Sequence, residues 1–201
     1  VGESAGQRGP VTVPSPLLDL DNVVAGYTAP IVGPVSLIVQ RNDIVGLTGP
    51  NGSGKTTLVN AIIGTARVMD GRLRKAPGLR VNVQRQHPVR LPEMPFTGMD
   101  LLHLVGAGDR PVPDSIRAFV ERRIDRLSGG QFQLLQVWAC LSAAADLVIL
   151  DEPTTNMDPT SKASLEAILR ASHELVGSIL VISHDHDFLE RVTSRIVRIG
   201  T

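Results

Sequence analysis

Cysteine is almost absent from this chain of 201 residues: Cys140 stands alone, so no internal disulfide can form, and its apolar helical surroundings point to a packed, inert thiol in a reducing compartment. Net charge is missing as well. Twenty Lys and Arg balance twenty Asp and Glu, so no global field draws nucleic acid or anionic lipid, and no nucleic-acid partner is expected. No apolar run approaches the roughly 18 to 20 residues that cross a bilayer, and no charged-then-apolar leader opens the chain; a membrane role therefore calls for a partner. There is no internal repeat and no heptad run, which excludes a long coiled coil. Aromatic residues make up only 3% of the chain, so Tyr27 and Trp138 stand out as side chains with contacts to explain. What remains is 42% hydrophobic, enough for one substantial core and a single compact domain with room for a small insertion.

The most informative stretch is Gly49-Pro50-Asn51-Gly52-Ser53-Gly54-Lys55-Thr56-Thr57, which fills every fixed position of the phosphate-binding pattern G-x-x-x-x-G-K-S/T. Asp43 to Thr48 before it reads as a buried strand and Thr57 to Ile63 after it as a helix, so the glycines fall at a strand-to-helix turn. Such a turn aims backbone N–H groups at phosphate oxygens, and the helix N-terminus adds positive potential. Lys55 then reaches the β- and γ-phosphates of a nucleoside triphosphate and Thr56 ligates Mg²⁺.

Around this loop the chain reads as α/β. Residues 1–16 are rich in Gly, Pro and Ser without apolar periodicity, and are read as a flexible leader to a domain spanning 17–201. Leu17 to Ala25, Val35 to Gln40, Gly71 to Arg74 and Leu79 to Val83 read as strands, which places an antiparallel β flank at the N-terminal side. Proline-interrupted helical pieces follow, read as a small helical subdomain inserted at about 87–143. Within it, Asp114 is expected to cap a helix with Ile116, Phe119, Val120, Ile124 and Leu127 on one face. Asp146 to Asp151 is an apolar run ending on a carboxylate, the pattern of a central parallel strand that delivers an acid to the sheet edge. Asp158 and Pro159 start another helix, and Ser178 to Ile182 is a further buried strand. Strands alternating with helices predict a mainly parallel sheet of the P-loop NTPase kind.

A second glycine turn, Leu127-Ser128-Gly129-Gly130-Gln131, lies just before Leu147 to Asp151 and Glu152. With Gln86, Asp151-Glu152-Pro153-Thr154, Asp158 and His184 in the same order, the chain resembles the ATP-binding cassette (ABC) ATPases over nearly all of Leu17 to Ile199. The resemblance implies a role for each residue. Tyr27 stacks on adenine, the competing reading being an ordinary core tyrosine. Gln86 contacts Mg²⁺ and the attacking water, with Gln84 a rival by register. Asp151 holds Mg²⁺ through its water shell and Glu152 orients and activates the hydrolytic water. His184 hydrogen-bonds the γ-phosphate. Asp158 contacts the dimer partner, caps its own helix, or both. Ser128 with the amides of Gly129 and Gly130, opening the helix Gln131 to Ala143, completes the nucleotide site of a facing subunit.

One phosphate loop and one such turn per chain imply a head-to-tail dimer, read as a homodimer, with two ATP molecules between protomers. Membrane-spanning partners are implied to dock beside Gln86 and the helical subdomain, which places the chain at the cytoplasmic face of the membrane as a peripheral subunit. The Leu91-Pro92 loop loosely resembles that of divalent-metal importers. Phe132, Leu134 and Ala139 stand where many members carry basic residues, Trp138 is bulky there, and Thr155-Asn156-Met157 replaces the commoner Ser-Gly-Leu. The chain is also read as ending soon after Arg198 without the regulatory domain some members add. A second function is a soluble, nucleotide-switched translation factor, which Phe188 to Val192 resembles; those factors carry two cassettes in one chain. The run from Ser183 to Asp187 invites a metal reading, but His184 is committed to nucleotide, and His87, His103 and His186 lack the spacing of a structural metal site.

Overall fold

Short aliphatic runs with no polar face belong where both sides are covered, and three of them form the centre of the molecule. These are β3 (Ile44–Thr48), β6 (Leu147–Asp151) and β7 (Ile179–Ile182), buried almost throughout. With β5 (Val81–Gln84) and β8 (Arg195–Arg198) they make a five-stranded sheet in the order β5-β6-β7-β3-β8, every neighbouring pair parallel. The computed structural model describes residues 15–85, 95–155, 157–172 and 177–200. Gln86, His87, the Leu91-Pro92 loop, Asn156 and most of the 1–16 segment lie outside them.

The N-terminal flank is a separate antiparallel sheet of β1 (Leu18–Gly26), β2 (Pro30–Val39) and β4 (Arg67–Lys75), in the order β2-β1-β4. Successive side chains of a strand point to opposite faces, and two cores result. Leu147, Ile149, Leu180 and Ile182 face the antiparallel sheet and α1 (Lys55–Ile63), joining Leu20, Leu47, Leu58 and Ile62. Val148, Leu150, Ile179 and Val181 face the other way, onto α4 (Gly129–Ser142), α5 (Pro159–Ala171) and α6 (His186–Val192), through Leu135, Trp138, Leu165, Leu169 and Phe188. Each large side chain buried here contributes about 1.5–3 kcal/mol of transfer free energy.

The helix expected from Asp114 to Leu127 is broken. A helix α3 covers only Asp114–Arg117, preceded by Pro113 at the N-cap position rather than Asp114, and a 3₁₀ turn forms at Ile124–Arg126. The carbonyls that would continue the ladder are taken by α2 (Gly98–Leu104): Gly98 N donates to Arg122 O at 3.1 Å and Met99 N to Val120 O at 2.8 Å, while Ile124 N donates to Phe96 O at 2.9 Å. The docked helix N-terminus outcompetes local propensity. Ile116, Phe119, Val120 and Leu127 nevertheless enter the core, Ile124 packing at its edge, so the apolar spacing marked burial correctly and conformation wrongly.

Candidate functional site

The loop 49–54 leaves the C-terminal end of β3 and opens α1, with Lys55 as the first helical residue. Gly54 occupies the N-cap position at φ 87°, where a side chain would also strike Val32 Cβ at 2.5 Å, so only glycine fits. No side chain caps α1 and no acid sits in its first turn, which leaves the helix-start amides and their positive potential facing the loop. Lys55 is buried, its ammonium donating to Gly49 O at 2.8 Å and Pro50 O at 3.0 Å.

Opposite the loop stands the end of β6. Thr56 Oγ1 donates to Asp151 Oδ2 at 3.5 Å. Burial pushes the Asp151 carboxyl above its ordinary range and the neighbouring Glu152 charge adds to the rise, against the opposing pull of Thr56, Lys55 and Arg85. Glu152 follows with φ 51°, a left-handed conformation that costs a non-glycine residue about 1–3 kcal/mol. The strain is held by the sheet, Glu152 N donating to Ile182 O at 2.8 Å, and it turns the buried carboxylate toward the end of β7. There Glu152 Oε2 lies 2.9 Å from His184 Nδ1 and also accepts from Ser183 Oγ at 3.3 Å and His184 N at 3.4 Å. The His184 ring itself is largely exposed. Lys55, Thr56, Asp151, Glu152 and His184 thereby line one cavity of about 540 Å³, with Asn51, Gly52, Gly54 and Thr57 on its loop side.

The second glycine turn is built but lies elsewhere. Ser128 N-caps α4 in a reciprocal box, its Oγ accepting from Gln131 N at 3.2 Å and its N donating to Gln131 Oε1 at 3.1 Å. Ser128 and Gly129 are exposed, and none of residues 128–131 lines the Lys55 cavity. Gly130 is packed against α5, where an added Cβ would fall 2.5 Å from Ser161 Oγ. Asp158 caps α5 as expected: Oδ1 accepts from Thr160 N at 2.9 Å and Ser161 N at 3.0 Å, and Oδ2 accepts from Ser161 Oγ at 2.7 Å. The Ser161 amide and hydroxyl bonds hold the Asp158 carboxyl below its ordinary range.

Tyr27 is no core residue. It sits at the turn between β1 and β2, 45% exposed, its hydroxyl accepting from Asn60 Nδ2 at 2.7 Å. Gln84 is buried and donates from Nε2 to Arg85 O at 2.7 Å. Among the described residues no cluster of three metal-ligating side chains forms, and His186 lies 3.3 Å from Glu190 one helical turn on. Burial pushes the Cys140 thiol up to about 12, in keeping with an inert role. Residues that the sequence did not assign to the nucleotide site are Ser183, fully buried against Glu152, and Ile31 and Thr155, which line the cavity. Ser183 directly follows the apolar strand that presents His184, and that was the available signal.

A five-stranded parallel sheet with a glycine phosphate loop and an acidic strand end at its C-terminal edge defines a P-loop nucleoside triphosphatase. The family model for ABC transporters matches residues 32–155. The chain is 33% identical over 192 residues to the zinc import ATP-binding protein ZnuC of Marinobacter nauticus, covering 90% of this chain and 74% of that protein. It is 34% identical over 185 residues to ZnuC of Paracoccus denitrificans, covering 88% and 72% respectively. The chain belongs to the ABC transporter family and is an ATP-binding, ATP-hydrolysing subunit of it. The fold agrees: an ATP-binding subunit of an ABC transporter superposes with TM-score 0.72 at 22% identity, over 92% of this chain and 90% of that one. An archaeal ribosome recycling factor superposes with TM-score 0.78 at 22% identity, over 98% of this chain but only 40% of the factor. Among the described residues no helix is long and apolar enough to cross a membrane.

Proposed function

We propose that this chain powers uptake of a divalent metal ion through separate membrane-spanning partners, working as a head-to-tail homodimer at the cytoplasmic face of the membrane. The observation carrying this reading is the split of the site: Lys55, Thr56, Asp151, Glu152 and His184 share one cavity while Ser128 to Gln131 lie outside it. A second copy supplies the missing turn. The metal cargo follows from likeness to relatives named for zinc import. The recycling-factor likeness, at 22% identity, speaks to fold alone.

In this reading Lys55 leaves the Gly49 and Pro50 carbonyls for the β- and γ-phosphates, and Tyr27 meets the adenine. Glu152 orients a water in line with the γ-phosphorus and takes its proton as the new P–O bond forms and the bond to the bridging oxygen of ADP breaks. His184 exchanges Glu152 for the γ-phosphate, and Ser128 with the Gly129 and Gly130 amides caps that phosphate from the facing copy. Gln86 couples the partner to the site. Thr56 and Asp151 offer a hydroxyl and a carboxylate side by side, a hard-oxygen set with an incompletely compensated charge, and they fit Mg²⁺. Mg²⁺ would neutralise charge on the β- and γ-phosphates.

Burial of the Asp151 carboxyl makes the stability of the fold depend on pH. A carboxyl whose folded pKa lies above its unfolded value favours the protonated form on folding, so its contribution turns unfavourable as pH rises from the ordinary carboxylate range through the raised value. Asp151→Asn is therefore expected to raise Tm of the nucleotide-free protein at neutral pH and to leave it unchanged in acid, while the extra Tm gain that Mg²⁺ gives with ATP disappears. A fall in Tm at neutral pH, or an intact Mg²⁺ effect, contradicts the assignment.

The transport role is tested by coexpression with neighbouring membrane-protein genes. The chain should copurify with a spanning partner, and vesicles holding the complex should accumulate Zn²⁺ only with ATP. Recovery on ribosomes with no membrane partner contradicts it.

A further inference from the structure

Behind the His184 and Glu152 pair lies a charged contact to which the reaction as described gives no work. Lys162, one turn into α5, forms an ion pair with Asp185 Oδ2, and its ammonium stands 5.9 Å from the centre of the Phe188 ring. Asp185 has two other duties, both local. Its Oδ1 accepts from Phe188 N at 2.9 Å and so caps α6, and its own amide donates to Ser183 Oγ at 3.1 Å. Ser183 Oγ in turn donates to Glu152 Oε2 at 3.3 Å. Burial pushes the Asp185 carboxyl up, but the hydrogen bonds from Lys162 and the Phe188 amide outweigh it and hold it below its ordinary range. On its other side the same turn of α5 meets the glycine turn, Ser161 filling the space that a Gly130 side chain would need. Lys162 also donates its backbone N–H to Asp158 O at 3.0 Å, the first intrahelical bond after the cap. One helical turn therefore touches both halves of the split site.

We infer that Lys162 is a positioning residue for ATP hydrolysis, holding the loop of His184 and Ser183 through Asp185 so that Glu152 keeps its place, and tying that loop to the helix packed on Gly130. The inference rests on the roles given above to Glu152 and His184. Lys162 and Asp185 are each about three-quarters covered and oriented by neighbours, so the pair holds one geometry close to the reacting group.

The test compares Lys162→Met, Lys162→Arg and Asp185→Asn, the last retaining an oxygen to cap α6. The readouts are kcat, nucleotide Kd, Tm and the His184 imidazole resonance in histidine-labelled protein, identified by its loss in His184→Ala. Lys162→Met and Asp185→Asn should each lower kcat about tenfold with Kd changed less than about twofold, and move the His184 resonance. Lys162→Arg should restore both. Unchanged kcat and resonance in Lys162→Met, with only Tm lowered, overturns the inference; so does a folded Lys162→Arg that fails to rescue. His184→Ala separates the two layers: wild-type turnover there defeats the reading of His184, whereas lost turnover there beside normal turnover in Lys162→Met defeats only the positioning role.

Discussion

Glu152→Gln is expected to lower kcat by about 10²–10⁴-fold, the range for removing a general base, while ATP binding survives. The structure explains why the two effects separate. Ser183 Oγ, His184 N and His184 Nδ1 all approach one oxygen, Oε2, and a glutamine carbonyl oxygen can take the same place. The strained backbone at φ 51° is anchored by the Ile182 carbonyl, independent of side-chain charge. Removing that charge also relieves Asp151, whose carboxyl it helps to push up. What is lost is the capacity to accept a proton from water. Steady-state hydrolysis with parallel nucleotide titration makes the measurement, and wild-type turnover in the variant contradicts the role of Glu152.

Lys55→Met is expected to fail earlier, at binding. The ammonium is buried at the wall of the phosphate cavity and satisfies the Gly49 and Pro50 carbonyls when no phosphate is there. Charged hydrogen bonds contribute about 1.5–3 kcal/mol each, so losing two to the phosphates should weaken ATP binding by about 10²-fold or more. Methionine keeps much of the aliphatic stem, and its Tm should stay near that of the parent. Calorimetric titration decides the matter. An unchanged Kd contradicts the assignment of the cavity, and a collapsed Tm would make the lysine a structural residue instead.

Much of this site was legible because its chemistry is local in sequence. The loop from Gly49 to Thr57 needs glycine at left-handed positions and a lysine at the helix start, and those demands appear as consecutive letters. Asp151 closes one apolar strand and His184 lies just past the end of another, a pattern that places polar groups at a parallel sheet's edge. Other parts were hidden because they depend on who packs against whom. The same apolar spacing from Ile116 to Leu127 suits a helix or a series of turns, and only the docking of Gly98 and Met99 on the segment's carbonyls selects turns. The sheet order β5-β6-β7-β3-β8 is set by crossovers. The Lys162 and Asp185 pair joins residues 23 positions apart, one on α5 and the other at the cap of α6, and no periodicity announces it. Tyr27 was open between core and ligand roles until its exposure removed the first.

One copy's Lys55 loop and another's Ser128 turn should enclose the same triphosphate. Sedimentation equilibrium of Glu152→Gln protein, with and without Mg²⁺ and ATP, tests this most directly. A monomer near 21.5 kDa is expected to double in mass when ATP is added, with no doubling when Ser128→Arg is combined with Glu152→Gln. A protein that stays at monomer mass with saturating ATP, or that doubles regardless of the Ser128 substitution, would contradict it.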